Sequence, residues 1–217
     1  MVKVFERLGH EVDVPAGQTC CGQPGFNSGY FDEARPIASH TIKVLQDADV
    51  VVIPSGSCGA MIRVFYIELF KGHVMEAAAH ALSEKTFEFS EFMIKKLNQA
   101  DVGAKFPHKV TFHDGCHGLR ELRLRYEARQ LLSHVDDLEL VEMSEARTCC
   151  GFGGAFSVKF PDISTAMAEV KCNSILETGA EYVVSNDPSC LMQIKGYLDK
   201  QGHNIKALHT AEVLAQV

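Results

Sequence analysis

The chain reads as an α/β protein of two pseudo-symmetric repeats, with parallel sheets flanked by helices and cysteines at strand C-terminal ends. Three observations predict this. Short β-branched runs, "VVVI" at 50–53 and "YVV" at 182–184, alternate with longer stretches of helical periodicity. The word Thr-Cys-Cys-Gly occurs twice, at 19–22 and 148–151. Cys58, Cys116 and Cys190 each follow a predicted strand directly, at the end where open parallel sheets bind their ligands.

The repeat extends beyond the two words. "GHEVDVPAGQTCCGQPGFNSGYFDEA" parallels "DLELVEMSEARTCCGFGGAFSVKFPDIS". In each copy the pattern predicts a short strand, a cysteine pair, a Gly-rich loop and a helix opened by an acidic residue. Further on, "VLQDADVVVIPSGSC" parallels "ILETGAEYVVSNDPSC", each giving a helix end, a buried strand and one cysteine. The second copy also carries the strand "KVTFHDGC" at 109–116, followed by a predicted helix around 117–133. Cys116 precedes Cys149 by 33 residues, whereas the chain begins 19 residues before Cys20, so the first copy is expected to lack this strand and its cysteine. The expected division is a first repeat over 1–69, N-terminally incomplete, a helical connection over 70–106, and a second repeat over 107–217. "VMEAAAHALSEKTFEFSEFMIKKL" within the connection reads as one long amphipathic helix or a helical pair.

Composition narrows the function classes. The chain has 217 residues, 46% of them hydrophobic, and can bury a sizeable core. Its net charge of -7, with both signs interspersed, leaves no basic stripe for nucleic acid. The most basic stretch, "LRELRLRYEAR" at 119–129, is interrupted by Glu121 and Glu127 and reads as a solvated helix face. No run approaches the length of a membrane span and the N-terminus has no signal-peptide pattern, so the expected location is cytoplasmic.

Eight cysteines in such a protein point to metal binding or redox chemistry, because cytoplasmic disulfides are rare. Cys116, Cys149, Cys150 and Cys190 converge from two strand ends and one loop, and the first copy offers Cys20, Cys21 and Cys58. A nucleophile needs one cysteine and a redox dithiol two, so a repeated set of this size reads as ligands. Structural zinc sites usually space paired ligands two to four residues apart. Adjacent cysteines diverge, which suits a multinuclear cluster, and the glycine after each pair permits the unusual backbone such a turn requires.

The words "CCGQPGFNSGY", "PSGSC", "LLSHV", "CCGFGGAFSVK", "ETGAE" and "CLMQI" resemble the CCG-domain (cysteine-rich domain) family. That family takes in a component of heterodisulfide reductase and the iron–sulfur components of glycolate and glycerol-3-phosphate oxidation systems, and the likeness here is to its lactate-utilisation members. The resemblance covers nearly the whole chain. It implies an iron–sulfur electron-transfer subunit in a cytoplasmic system that oxidises L-lactate to pyruvate with two partner proteins, its cysteines compatible with a cluster of 4Fe-4S type or a smaller one. Cys116, Cys149, Cys150 and Cys190 match the family's motif, and Cys20, Cys21 and Cys58 match it without the upstream cysteine. The chain departs from the family's terminal Cys-x-x-Cys, having Ser55 before Cys58 and Asp187 before Cys190.

Other residues carry plainer expectations. His113 and His117 flank Cys116, where a histidine can ligate a metal, orient a thiolate or shuttle a proton; a hydrogen-bonding role near the site is expected of them. Cys172 sits in a helical pattern and reads as a core cysteine. Phe26, Phe152 and Phe156 are expected either to shield a cluster from water or to serve as core. No acid or base for substrate chemistry stands out and no flavin or nicotinamide motif is present, so a catalytic residue is not assigned. Two readings remain alongside the electron relay: a zinc-stabilised scaffold and a thiol-disulfide oxidoreductase.

Overall fold

Six short strands organise the computed structural model, which describes residues 1–217. β1 (Val51–Ile53) and β2 (Thr86–Glu88) form a parallel pair. β3 (Lys109–His113), β4 (Glu139–Leu140), β5 (Tyr182–Ser185) and β6 (Lys206–His209) form a second, all-parallel sheet in the order β4-β3-β5-β6. The α/β class and its parallel sheets are those expected. β5 is buried along its whole length and β3 beyond its first residue, as expected for strands covered on both faces. Register places His113, Ser185 and His209 side by side at one edge of the larger sheet.

The strands that precede Cys58, Cys116 and Cys190 each lead, after two residues, into a helix. Ser55 caps the Gly56–Ala60 helix, its hydroxyl accepting from the Cys58 N–H, and Asp187 caps Pro188–Lys200 by accepting from the Ser189 N–H. Pro188 occupies the first turn, where its missing N–H costs nothing. The cysteine expected in the turn after each strand therefore stands in the first helical turn.

The connection over 70–106 is not purely helical. Helix Glu76–Lys85 ends at β2, and helical turns resume from Phe89 to Lys96. β2 extends the duplication: "KTFEFSEFM" at 85–93 occupies the place that "KALHTAEVL" at 206–214 holds in the second copy. In both, the last strand residue caps the following turn with its side chain. Glu88 accepts from the N–H groups of Ser90 and Glu91, and His209 Nδ1 from that of Ala211. A three-residue strand between helical segments is too short for periodicity to register.

Two other expectations are corrected. The stretch 117–133 divides into helices Cys116–Arg120 and Glu127–Leu132, broken where Arg123 takes a left-handed φ of 58°. The strand expected before the first cysteine pair does not form. β4 is held by β3, whereas residues 11–14 have no strand next to them, and a groove lined by Val12, Val50, Val52 and Phe92 separates them from β1.

The halves share a core. Val4, Phe5, Phe89 and Met93 pack in one cluster with Val110, Phe112, Tyr182 and Val184. Nearer the strand ends, helix Gly56–Ala60 crosses helix Cys116–Arg120 at two glycines: a Cβ on Gly56 would lie 2.9 Å from the Gly118 nitrogen. The Asn186 carbonyl accepts from the Gly56 N–H at 3.3 Å and Asp187 Oδ2 from the Ser57 N–H at 2.9 Å. Gly56→Ala must separate these backbones, so it is expected to cost about 1–3 kcal/mol, read as a lower urea midpoint.

Glu88 is fully buried, and burial pushes its carboxyl up to about 7 although the Ser90 hydroxyl and two N–H groups donate to it. Unfolded, the carboxyl ionises near its ordinary value of 4.5. As pH rises from there toward 7 the unfolded chain releases its proton first, so this group's contribution is present at acid pH and lost, by about 3 kcal/mol, on reaching neutrality. The urea midpoint should therefore fall between about pH 4.5 and about pH 7, and Glu88→Gln should flatten that part of the profile.

Candidate metal centre

Each Cys-Cys-Gly turn is pressed against the long helix that comes second after it. Gly22 and Gly151 have φ of 86° and 89°, a region open to glycine and strained for other residues. A Cβ on Gly151 would stand 2.6 Å from the Ser164 carbonyl oxygen, and one on Gly22 3.2 Å from that of Ala34. Helices Pro161–Glu177 and Phe31–Leu45 thus seat the two turns in the same way. Ser164 Oγ donates to the Gly151 carbonyl at 2.8 Å, and the buried Tyr66 hydroxyl donates to the Cys21 carbonyl at 2.8 Å.

All seven cysteines singled out by the repeat face one cavity of about 760 Å³. Cys20 and Cys21 enter from the first turn and Cys58 from the helix after β1; Cys116 and Cys190 come from the helices after β3 and β5, and Cys149 and Cys150 from the second turn. Cys172 lies elsewhere, fully buried in the core with its Sγ 3.7 Å from the Ile194 carbonyl. The repeat pattern implies two separate sites; the crossing at Gly56 and Gly118 instead brings both sets to a common chamber.

Within the second set, Cys149 neighbours Cys116 and Cys150, and Cys150 also neighbours Cys190. The neighbouring Cys116 and Cys150 thiols, with a hydrogen bond from the Gly151 N–H at 3.4 Å, hold the Cys149 thiol far below its ordinary range. Cys116 is pushed up first by Cys149 and then by burial, and Cys150 by Cys149, then Cys190, then burial. In the first set the Sγ atoms of Cys21 and Cys58 are 3.5 Å apart. Cys58 is lowered by the Cys21 thiol, and Cys21 is raised by that same bond and by burial. Each set therefore favours ionisation at one cysteine and opposes it at that cysteine's neighbours, a conflict that bound cations relieve. Soft thiolate donors suit zinc, copper(I) and iron–sulfur clusters.

His113 has a more direct place in the chemistry than its sequence context suggests. It is fully buried at the end of β3, and one of its ring nitrogens, Cys150 Sγ and Cys190 Sγ all lie within 4.8 Å of one another. Neither ring nitrogen makes a well-formed hydrogen bond; the Ala146 carbonyl stands beside the ring and accepts the Asp114 N–H at 3.0 Å. Burial, with Lys171 adding to it, lowers His113 to about 3, so the ring is a neutral donor. His117 lines the chamber with Nδ1 3.2 Å from Glu121 Oε2.

Two further polar groups, one behind the second cysteine set and one on the chamber wall, have no role assigned to them from the sequence. Lys171 is fully buried, donates to the Glu145 carbonyl, and is lowered by burial to about 8. Asp187 lines the chamber and links the halves through the Ser57 N–H. For Lys171 the available signal is a lysine one position before the buried Cys172 on the helix that seats the second turn. Of the phenylalanines, Phe152 lines the chamber, Phe26 stacks on Phe65 at 5.1 Å, and Phe156 packs on Phe160.

Residues 1–63 and 110–195 match the family described as "CCG: Cysteine-rich domain", and the two matched segments contain all seven chamber cysteines. The chain belongs to this family. Among curated relatives, it is 49% identical over 216 residues to "Lactate utilization protein A" of Exiguobacterium sp. (strain ATCC BAA-1283 / AT1b), covering 98% of this chain and 88% of that protein. Proteins of the same name from Geobacillus sp. (strain WCH70) and Bacillus subtilis (strain 168) are 46% and 45% identical over 214 residues, each comparison covering 98% of this chain and 90% of the relative.

The cysteine-rich turns impose a sharp steric requirement at their glycines. Gly151→Ala adds a Cβ that meets a helix backbone while forcing a left-handed residue, and about 2 kcal/mol or more of stability should be lost, read as a lower thermal midpoint.

Proposed function

We propose that the protein is the iron–sulfur electron-transfer component of a cytoplasmic system that oxidises L-lactate to pyruvate. The observation that carries this reading is the convergence of seven thiols from two repeats on one chamber. The names of the relatives supply the substrate class.

Cys116, Cys149, Cys150 and Cys190 would hold one metal group, with His113 as a neutral nitrogen donor near Cys150 and Cys190; Cys20, Cys21 and Cys58 would hold the other. A bound iron–sulfur cluster supplies one-electron redox chemistry at a protein-tuned potential. The chain's own residues set the surroundings. The Gly151 N–H donates to a ligand sulfur, and buried Lys171 places positive charge behind the second set, both of which favour the more negative, reduced state. Asp187 opposes them with a carboxylate on the chamber wall. Oxidation of L-lactate to pyruvate releases two electrons and two protons, and two sites facing one chamber give a single chain room for both electrons. The chamber offers no flavin or nicotinamide motif, so carbon–hydrogen cleavage belongs to another protein of the system.

A second reading, a zinc-stabilised scaffold of the same system, draws on the His113, Cys150 and Cys190 group, whose nitrogen and sulfur donors suit zinc. The experiment combines the anaerobically purified protein with the proteins encoded next to it and follows its visible absorbance. Adding L-lactate should bleach that absorbance as pyruvate appears, and Cys150→Ser should abolish both. Pyruvate production at the same rate with Cys150→Ser, or with no spectral change, would contradict an electron relay.

A further inference from the structure

The basic stretch at 119–129 does not form the self-neutralised helix face its sequence suggests. The two acids that interrupt it are withdrawn. Glu121 turns toward His117, and Glu127 folds inward onto Lys95 at 2.7 Å while accepting from the backbone N–H groups of Arg125 and Tyr126. The left-handed turn at Arg123 lets Leu122 and Leu124 both point into the core, leaving Arg120, Arg123 and Arg125 exposed. None of these three takes part in an ion pair; nearby Asp114 and Glu142 are held by Arg129. Arg147 joins them around one open depression, with only a long 4.0 Å approach to Asp114. A chain of net charge -7 thus gathers four arginines on one face.

This face adjoins the chamber. Arg120 ends the helix that Cys116 begins, about 6 Å along its axis, and Arg147 stands two residues before Cys149. Leu119 is the sole apolar wall of the depression, so it lacks the enclosure that strips water from a small ligand. Next to Arg125, Tyr126 is 68% exposed. Arginine and tyrosine are the residues enriched where protein surfaces bind one another.

We infer that this arginine face is the docking surface for an acidic protein, which it would hold close to the second cysteine set. Association through it is steered by charge and weakens with salt. The inference stands on surface charge and needs no metal, so a binding measurement tests it independently of the electron-relay reading.

The probe is flavodoxin, an acidic electron-carrier protein, titrated into the full chain under anaerobic conditions. Binding at low salt should weaken roughly tenfold or more between about 50 and about 300 mM salt. Arg120→Glu/Arg123→Glu/Arg125→Glu should abolish it, and the corresponding lysine triple variant should retain it. Reversing three exposed charges elsewhere, Lys3→Glu/Lys43→Glu/Lys200→Glu, should change it little. If the glutamate variant fails to fold, Arg123→Gly/Arg125→Gln removes two charges while relieving the left-handed backbone, and should weaken binding at unchanged or higher thermal midpoint. The inference is overturned if wild-type protein does not bind flavodoxin, if the lysine reversals weaken binding as much as the arginine ones, or if vesicles of phosphatidylglycerol bind in its place.

Discussion

Bringing two sets of thiols to one chamber requires backbones to approach where no Cβ fits, and the rest of the structure depends on that constraint. Gly56 lets the helix bearing Cys58 lie against the backbone of the helix bearing Cys116 at Gly118. Gly22 and Gly151 let each cysteine pair turn tightly against its own supporting helix. Asn186 and Asp187 then lock the crossing through the backbone of residues 56 and 57. The sulfur atoms are placed by these contacts rather than by bonds to one another, since all eight cysteines are free thiols.

The chamber is electrostatically unsettled as a set of thiols. Cys149 is lowered by the neighbouring Cys116 and Cys150 thiols and by the Gly151 N–H, and each of those two thiols is in turn made harder to ionise. Buried thiolates accumulate where positive charge is supplied, and Lys171 alone supplies one charge to the second set. His113 adds a buried imidazole with both nitrogens unpartnered, a costly arrangement that a bound cation offsets. The buried nitrogen, the competing thiols and the shared cavity all describe a pocket shaped for metal.

Much of this is legible in the sequence because duplication doubles every signal. The repeated Cys-Cys-Gly word locates both turns and their glycines, and β-branched runs locate β1, β3 and β5 with the cysteines that follow them. Short elements escape: β2 is three residues long within a helical pattern, and only its likeness to the stretch at 206–214 betrays it. Residues 11–14 show the converse, a strand-like pattern without a neighbouring strand to bond. The meeting of the two cysteine sets is hidden too, because a glycine-on-glycine crossing leaves no periodic trace. His113 is visible as a strand-end histidine, but its lack of a hydrogen-bond partner is a property of packing alone.

The measurement that tests the central claim most directly is the content of iron, zinc and acid-labile sulfide per chain after strictly anaerobic purification. The account predicts iron and sulfide together, both lowered when Cys150 is replaced by serine. Stoichiometric zinc with neither iron nor sulfide would contradict it and leave the chamber as a structural zinc site.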